Sequence, residues 1–207
     1  EADSLIFVTS QTAFDIENPT EADLYKTGTL CHVVSCSERD GHQRVRVEVV
    51  ERVKLENISF DDKGNYFVAQ GTIIALPEIS EEKNKAIIRA IDGVVDSMPN
   101  IISQMPKNVA NIVSKTEDAA VLCYSLAGFL NAPLERKQEV LEANDYETLM
   151  QLVTVMLNGE NQRTEIDKEI SEKATGWTLD RFGKVDLAII RLAVYEILFD
   201  EEVPASV

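Results

Sequence analysis

The chain is poor in the features that mark secreted, membrane-spanning or catalytic proteins. It has three cysteines in 207 residues, Cys31, Cys36 and Cys123. The number is odd and the spacing suggests no disulfide framework, so reduced thiols are expected. Histidine is scarcer still, with only His32 and His42. No apolar run approaches the ~18 residues that a spanning helix needs, and the first residues lack the basic start and apolar core of a signal peptide. We therefore expect a cytoplasmic location and no membrane partner. Basic side chains are outnumbered, 20 against 36 acidic, for a formal charge of −16. That field repels phosphate backbones, so nucleic acid is not an expected partner without a local basic patch. There is no Gly-x-x-x-x-Gly-Lys-Ser/Thr loop to cradle ATP phosphates and no serine or cysteine in a recognisable nucleophile motif. The expectation is a chain that is not an enzyme and needs no cofactor.

An apolar share of 44% with 27% charged residues suits a folded core. The first third has strand character. Leu5-Ile6-Phe7-Val8-Thr9 is a short run of β-formers. Gln11 to Asp23, with Asn18-Pro19, reads as a loop. Gly28 to Cys36 returns to strand, and Glu38-Arg39-Asp40-Gly41 supplies a hairpin turn. The second arm alternates, predicting Val45, Val47 and Val49 on a core face and Arg44, Arg46 and Glu48 on a solvent face. Val53 and Leu55 keep that parity, with Glu51 an exception at an edge or bulge. Asp61-Asp62-Lys63-Gly64 is a further turn, and Tyr66 to Leu76 is the last strand candidate.

From Ser80 the apolar period becomes helical. Ile87, Ile88, Ile91, Val94, Val95 and Met98 share one stripe, with Ser80 placed to cap and Glu81 and Glu82 in the first turn. Pro99 ends that helix, Pro106 opens another, and Thr116 is a candidate cap for the helix through Ala119, Leu122, Leu126 and Phe129. Pro133 opens a shorter helix. Asp145 can cap the next, where Leu149, Leu152, Val153 and Met156 make a buried stripe and Asn158-Gly159 reads as a stop. Asn158 to Thr164 is then a seam, followed by a short helix around Ile166 and Ile170 that Thr175-Gly176 can end. The expected fold class is α+β: an antiparallel barrel-like β subdomain over 1–78, a helical bundle over 79–158, a junction at 159–164, and a short all-α C-terminal fragment over 165–207.

Cys31, His32, Cys36 and His42 are near enough in sequence to raise a zinc site, but on a strand Cys31 and His32 point to opposite faces and Cys-x4-Cys is a loose spacing. Strand packing is the preferred reading, and no metal is expected. Asp61-Asp62 and Glu81-Glu82 are adjacent carboxylates better explained as turn and helix-start residues. Ser97 to Pro106 is more informative. Met98, Ile101, Ile102 and Met105 lie in a proline-bracketed connection, where methionine and isoleucine can present an adaptable apolar surface to unfolded segments. They are the candidate substrate-binding residues. The competing reading folds them inward as core.

The order of elements, with Leu5-Ile6-Phe7-Val8-Thr9-Ser10-Gln11, Asp23-Leu24-Tyr25 before Gly28-Thr29, Val45-Arg46-Val47-Glu48 with Arg52 after it, and Pro133 through Glu142, resembles the amino-terminal domain of the ATP-dependent Lon protease over about residues 1–157. The resemblance implies a non-catalytic module that recognises unfolded or damaged substrates and supports hexamer assembly. It implies protein partners, with self-association among them. Past the seam, Trp177-Thr178-Leu179-Asp180-Arg181, Val185 through Leu198 and Val203-Pro204 look like the centre of the antitermination factor NusB. That resemblance implies Trp177, Leu192 and Tyr195 as core, and Arg181, Asp186, Arg191 and Glu196 as candidates for interhelical pairing. Two alternatives to substrate recognition remain at this point: a NusB-like RNA- or protein-binding module, and a fusion without joint function.

Overall fold

The computed structural model describes residues 4–13, 15–39 and 41–200. In chain order the elements are strands β1 (Leu5–Val8), β2 (Thr27–Arg39), β3 (His42–Asp61) and β4 (Tyr66–Ile73). Helices α1 (Glu81–Asp96), α2 (Pro99–Gln104), α3 (Lys107–Lys115), α4 (Ala119–Phe129), α5 (Leu134–Glu142), α6 (Tyr146–Lys173) and α7 (Lys184–Phe199) follow. The order of strands and helices is that of the expected α+β class. Two compact units result, one of residues 1–78 with 134–149 and the other of 79–133 with 150–207.

The first unit is a curled, four-stranded antiparallel half-barrel in the order β1-β2-β3-β4. The expected turn at Asp61 to Gly64 is present, followed by Asn65 in the left-handed region. Asp40 of the other expected turn lies outside the described residues, and Gly41 beside it has φ +76. Val53, Leu55 and Ile58 form the core, with Leu24, Leu30, Phe67 and Ala69 packed around them. A strict alternation would put Ile58 on the wrong face. A register shift between Glu56 and Ser59, with Asn57 at φ 51, inserts the residue that brings Ile58 into line. Gly28 allows the close passage of β1, because a Cβ there would run into the Val8 carbonyl oxygen.

The core face expected for Val45, Val47 and Val49 is corrected. Val49 is 61% exposed, Val45 is exposed, and Val47 is half-buried. There are two physical reasons. Leu30 pairs with Glu51 while Cys31 pairs with Val49, so the extra residue Val50 resets the alternation between these valines and Val53. In addition, among the described residues β1 pairs with Thr29 to His32 and β4 with Val53 to Asp61, so Val45 and Val47 lie beyond both pairings.

α5 packs in this unit by capping rather than by apolar burial alone. Arg52 Nη1 donates to the carbonyls of Leu141 and Ala143, each at 2.7 Å, and Gln138 Nε2 donates to the Thr27 carbonyl at 2.9 Å. The guanidinium thus meets carbonyl groups that the end of α5 leaves without helical donors.

The second unit is helical. Ser80 caps α1 as expected by accepting from the Lys83 amide, and Ile87, Ile91, Val95 and Met98 are buried. The cap of α4 is Asp118, which accepts from the Ala120 and Val121 amides, while Thr116 accepts from Asp118 and so fixes the turn before it. This corrects the expected Thr116 cap by two residues. Cys123 lies fully buried on α4, its thiol pushed up to about 12 by burial and, secondarily, by Asp118. In α6, Val153, Leu157, Ile166 and Ile170 are buried along one helix.

The helix stop expected at Asn158-Gly159 is absent, since α6 runs unbroken from Tyr146 to Lys173 through the whole seam. Glycine in a helix interior costs only about 1 kcal/mol against alanine, and contacts just beyond it outweigh that. Arg163 pairs with Glu160 and with Asp167, and Arg191 on α7 donates to both Asp167 oxygens at 2.7 and 2.8 Å. Arg191 therefore makes the interhelical pair expected of it. Trp177, Leu192 and Tyr195 are corrected as core residues: the first two are 57% and 59% exposed, and Tyr195 is exposed as well. α7 has no buried residue, and Val185, Ile189 and Leu192 on it are each more than half exposed.

Candidate functional site

Two prolines set the local geometry of the sequence-predicted site. Pro99 sits at the first position of α2, where its missing N–H costs nothing, and Pro106 precedes α3 and breaks the helix between them. The Met98 carbonyl accepts from the Ile101 and Ile102 amides at 3.0 and 3.2 Å, so the chain turns sharply out of α1. The result is a short α2 between two longer helices, with its four candidate residues split by burial. Met98 and Ile101 are core, Ile101 being 1% exposed. Ile102 is 46% exposed and Met105 half-buried, and both line a groove of about 550 Å³ with Asp92, Val95 and Asp96 of α1 and Ala110 and Val113 of α3.

Asp92 and Asp96 stand one helical turn apart on the same face of α1. Burial pushes the Asp92 carboxyl above the ordinary carboxylate range, and repulsion from Asp96 adds to the shift. The ion pairs seen among the described residues engage neither carboxylate. The sequence reading missed both, although two aspartates at i and i+4 without a basic residue between their turns were a visible signal.

Among the concavities of the described residues, two more are apolar. One, of about 660 Å³, lies inside the half-barrel and is lined by Phe7, Leu55, Ile58 and Phe67 among others. The other, of about 480 Å³, lies between α6 and α7, with Ile170, Phe182, Ile190 and Val194 in its wall. Cys31 is buried in β2, whereas the Cys36 thiol is exposed and donates to Gln43 Oε1 at 3.0 Å. The described residues contain no group of three or more potential metal ligands. No described helix is long and apolar enough to cross a membrane.

The chain is 27% identical over 177 residues to the Lon protease of Aquifex aeolicus (strain VF5), covering 83% of this chain and 22% of that protein. It is 24% identical over 172 residues to the Lon protease of Erwinia amylovora, again covering 83% of this chain and 22% of the relative. The chain thus spans about a fifth of the length of the curated relatives it matches. Among solved structures, the N-terminal domain of Mycobacterium avium complex Lon protease has the same fold, with a TM-score of 0.55 at 13% identity over 68% of this chain and 74% of that one. Residues 124–207 match the model of the NusB family, which therefore begins well before the seam and takes in all of α5, α6 and α7. Residues 1–159, more than three quarters of the chain, match the model described as the ATP-dependent protease La (LON) substrate-binding domain, and the chain belongs to that family.

Proposed function

We propose that this chain is a non-catalytic recognition module of an ATP-dependent protease, and that it takes up unfolded protein segments in the groove between α1, α2 and α3. The family match over residues 1–159 carries the functional part of this reading. The groove supports the placement: Ile102 and Met105 offer solvent-facing apolar surface on a rigid base formed by Met98 and Ile101. Such a surface gains from burying apolar side chains at about 25 cal/mol per Å² without demanding a particular sequence. The partners of the reading are proteins, and its compartment is the cytoplasm, in keeping with free thiols at Cys31, Cys36 and Cys123.

The burial split decides which variant tests the site. Ile101→Ser would place a hydroxyl in the core and cost roughly 3 kcal/mol or more, so lost binding would report lost folding. Ile102→Ser with Met105→Ser leaves the buried pair intact. Binding of a fluorescently labelled, permanently unfolded protein is expected to weaken by about tenfold in this double variant, a loss of apolar contact worth ~1.4 kcal/mol, while the thermal midpoint stays near that of the parent. Unchanged affinity would remove the groove from the reading.

A further inference from the structure

The recognition reading leaves the class of segment open, and the rim of the groove bears on it. The floor from Val95, Ile102, Met105, Ala110 and Val113 has no preference for charge sign. Among the described residues, the charged ones lining the groove are Asp92 and Asp96. Lys107 and Lys115 bracket α3, yet neither lines it. Glu81 and Glu82, nearer the start of the same helix, are differently placed: Glu81 pairs with Lys85, and both favour the helix N-terminus. Asp92 and Asp96 have neither compensation and repel one another. Two carboxylates provide too few ligands for a stable metal site, and no third ligand stands with them among the described residues. A cation delivered by a bound chain would relieve the repulsion while its apolar neighbours fill the floor.

We propose, resting on the recognition reading above, that the groove selects unfolded segments whose apolar side chains are flanked by lysine or arginine, with Asp92 and Asp96 receiving the cation and Ile102, Met105 and Val113 the apolar group. Selectivity then comes from charge complementarity on one rim, and affinity from the floor. Segments flanked by glutamate meet the same floor but carry a like charge to the rim.

The test uses the 207-residue chain and two synthetic peptides that share one apolar centre, flanked by lysine in one and by glutamate in the other, with binding read by fluorescence anisotropy. The lysine peptide is expected to bind about five- to tenfold more tightly at low salt, the effect of two partly exposed ion pairs. That preference should shrink in about 0.5 M NaCl and vanish in Asp92→Asn/Asp96→Asn. Because the chain as a whole is acidic, Glu48→Gln/Glu51→Gln on exposed β3 serves as a control with the same change in net charge. Equal loss in that control would assign the preference to the overall field and overturn the proposal. Equal affinity of both peptides for the parent chain, with sensitivity to Ile102→Ser/Met105→Ser retained, would overturn the charge selection alone. Binding of neither peptide would overturn the recognition reading with it. Should the paired asparagine variant lose its helical circular dichroism, Asp96→Asn alone carries the test, since Asp96 is exposed.

Discussion

Arg52 illustrates how much a single side chain does in this fold. It is only 8% exposed, one position away from the core residue Val53, and it donates to two backbone carbonyls at the end of α5. Hydrogen bonds from a charged donor are worth about 1.5–3 kcal/mol each, and removing the donor leaves carbonyls buried without it. Arg52→Met is therefore expected to lower unfolding stability by about 2–3 kcal/mol, read as a shifted urea midpoint at unchanged slope. A loss within 0.5 kcal/mol would mean that water replaces the guanidinium. The alternation of β3 correctly predicts that Arg52 faces away from Val53 and Leu55. It does not reveal that this other face is covered, because α5 arrives there from more than eighty residues later in the chain. The same holds for Ile101 and Ile102: their chemistry is identical in the sequence, and only the packing of α2 makes one core and the other groove.

At the scale of elements, α6 and α7 depend on charge as much as on apolar burial. The bidentate pair between Arg191 and Asp167 fixes α7, which has no fully buried side chain of its own. A forked guanidinium meeting both carboxylate oxygens fixes register in a way a lysine cannot. In Arg191→Ala, amide exchange across α7 is expected to accelerate by about tenfold while the amides of α6 before Gly159 keep their protection. Uniform acceleration through both helices would show that the pair holds the bundle rather than α7. The pairing role of Arg191 was legible in the NusB-like string, whereas the exposure of Trp177 and Leu192 was not, since a core assignment by resemblance presupposes helices that cover them. The continuity of α6 was hidden for a different reason. Asn-Gly is a strong local stop signal, and the contacts overriding it come from Glu160, Arg163 and Asp167 on the next turns and from Arg191.

For the whole molecule, a continuous helix runs through Asn158 to Thr164 where the sequence suggests a seam. Trypsin offers a direct comparison, because Lys63 lies in an exposed turn and Arg163 lies inside α6 with its guanidinium held by Glu160 and Asp167. Proteases need locally unfolded chain, so cleavage after Lys63 is expected to be at least about tenfold faster than after Arg163. Early fragments cut at Arg163 would restore a linker between two parts. The division into units also differs from a cut along the sequence, since residues 134–149 group with the sheet and not with the helices that surround them in the chain.

The sequence by itself determined the class of most elements, because strand alternation, helical periodicity, proline placement and capping residues act over a few neighbouring positions; the exceptions are α2, which reads as a connection, and α6, which reads as two helices. It also determined the family, through strings whose order survives in the elements they form, and the acidic field that disfavours phosphate backbones. Only the tertiary structure decided which faces are covered. Burial of Arg52 and Ile101, exposure of Val49 and Leu192, and the placement of Asp92 and Asp96 beside Ile102 and Met105 all depend on residues distant in sequence. A side chain's energy in the fold is set by what reaches it across space, and no local pattern carries that information.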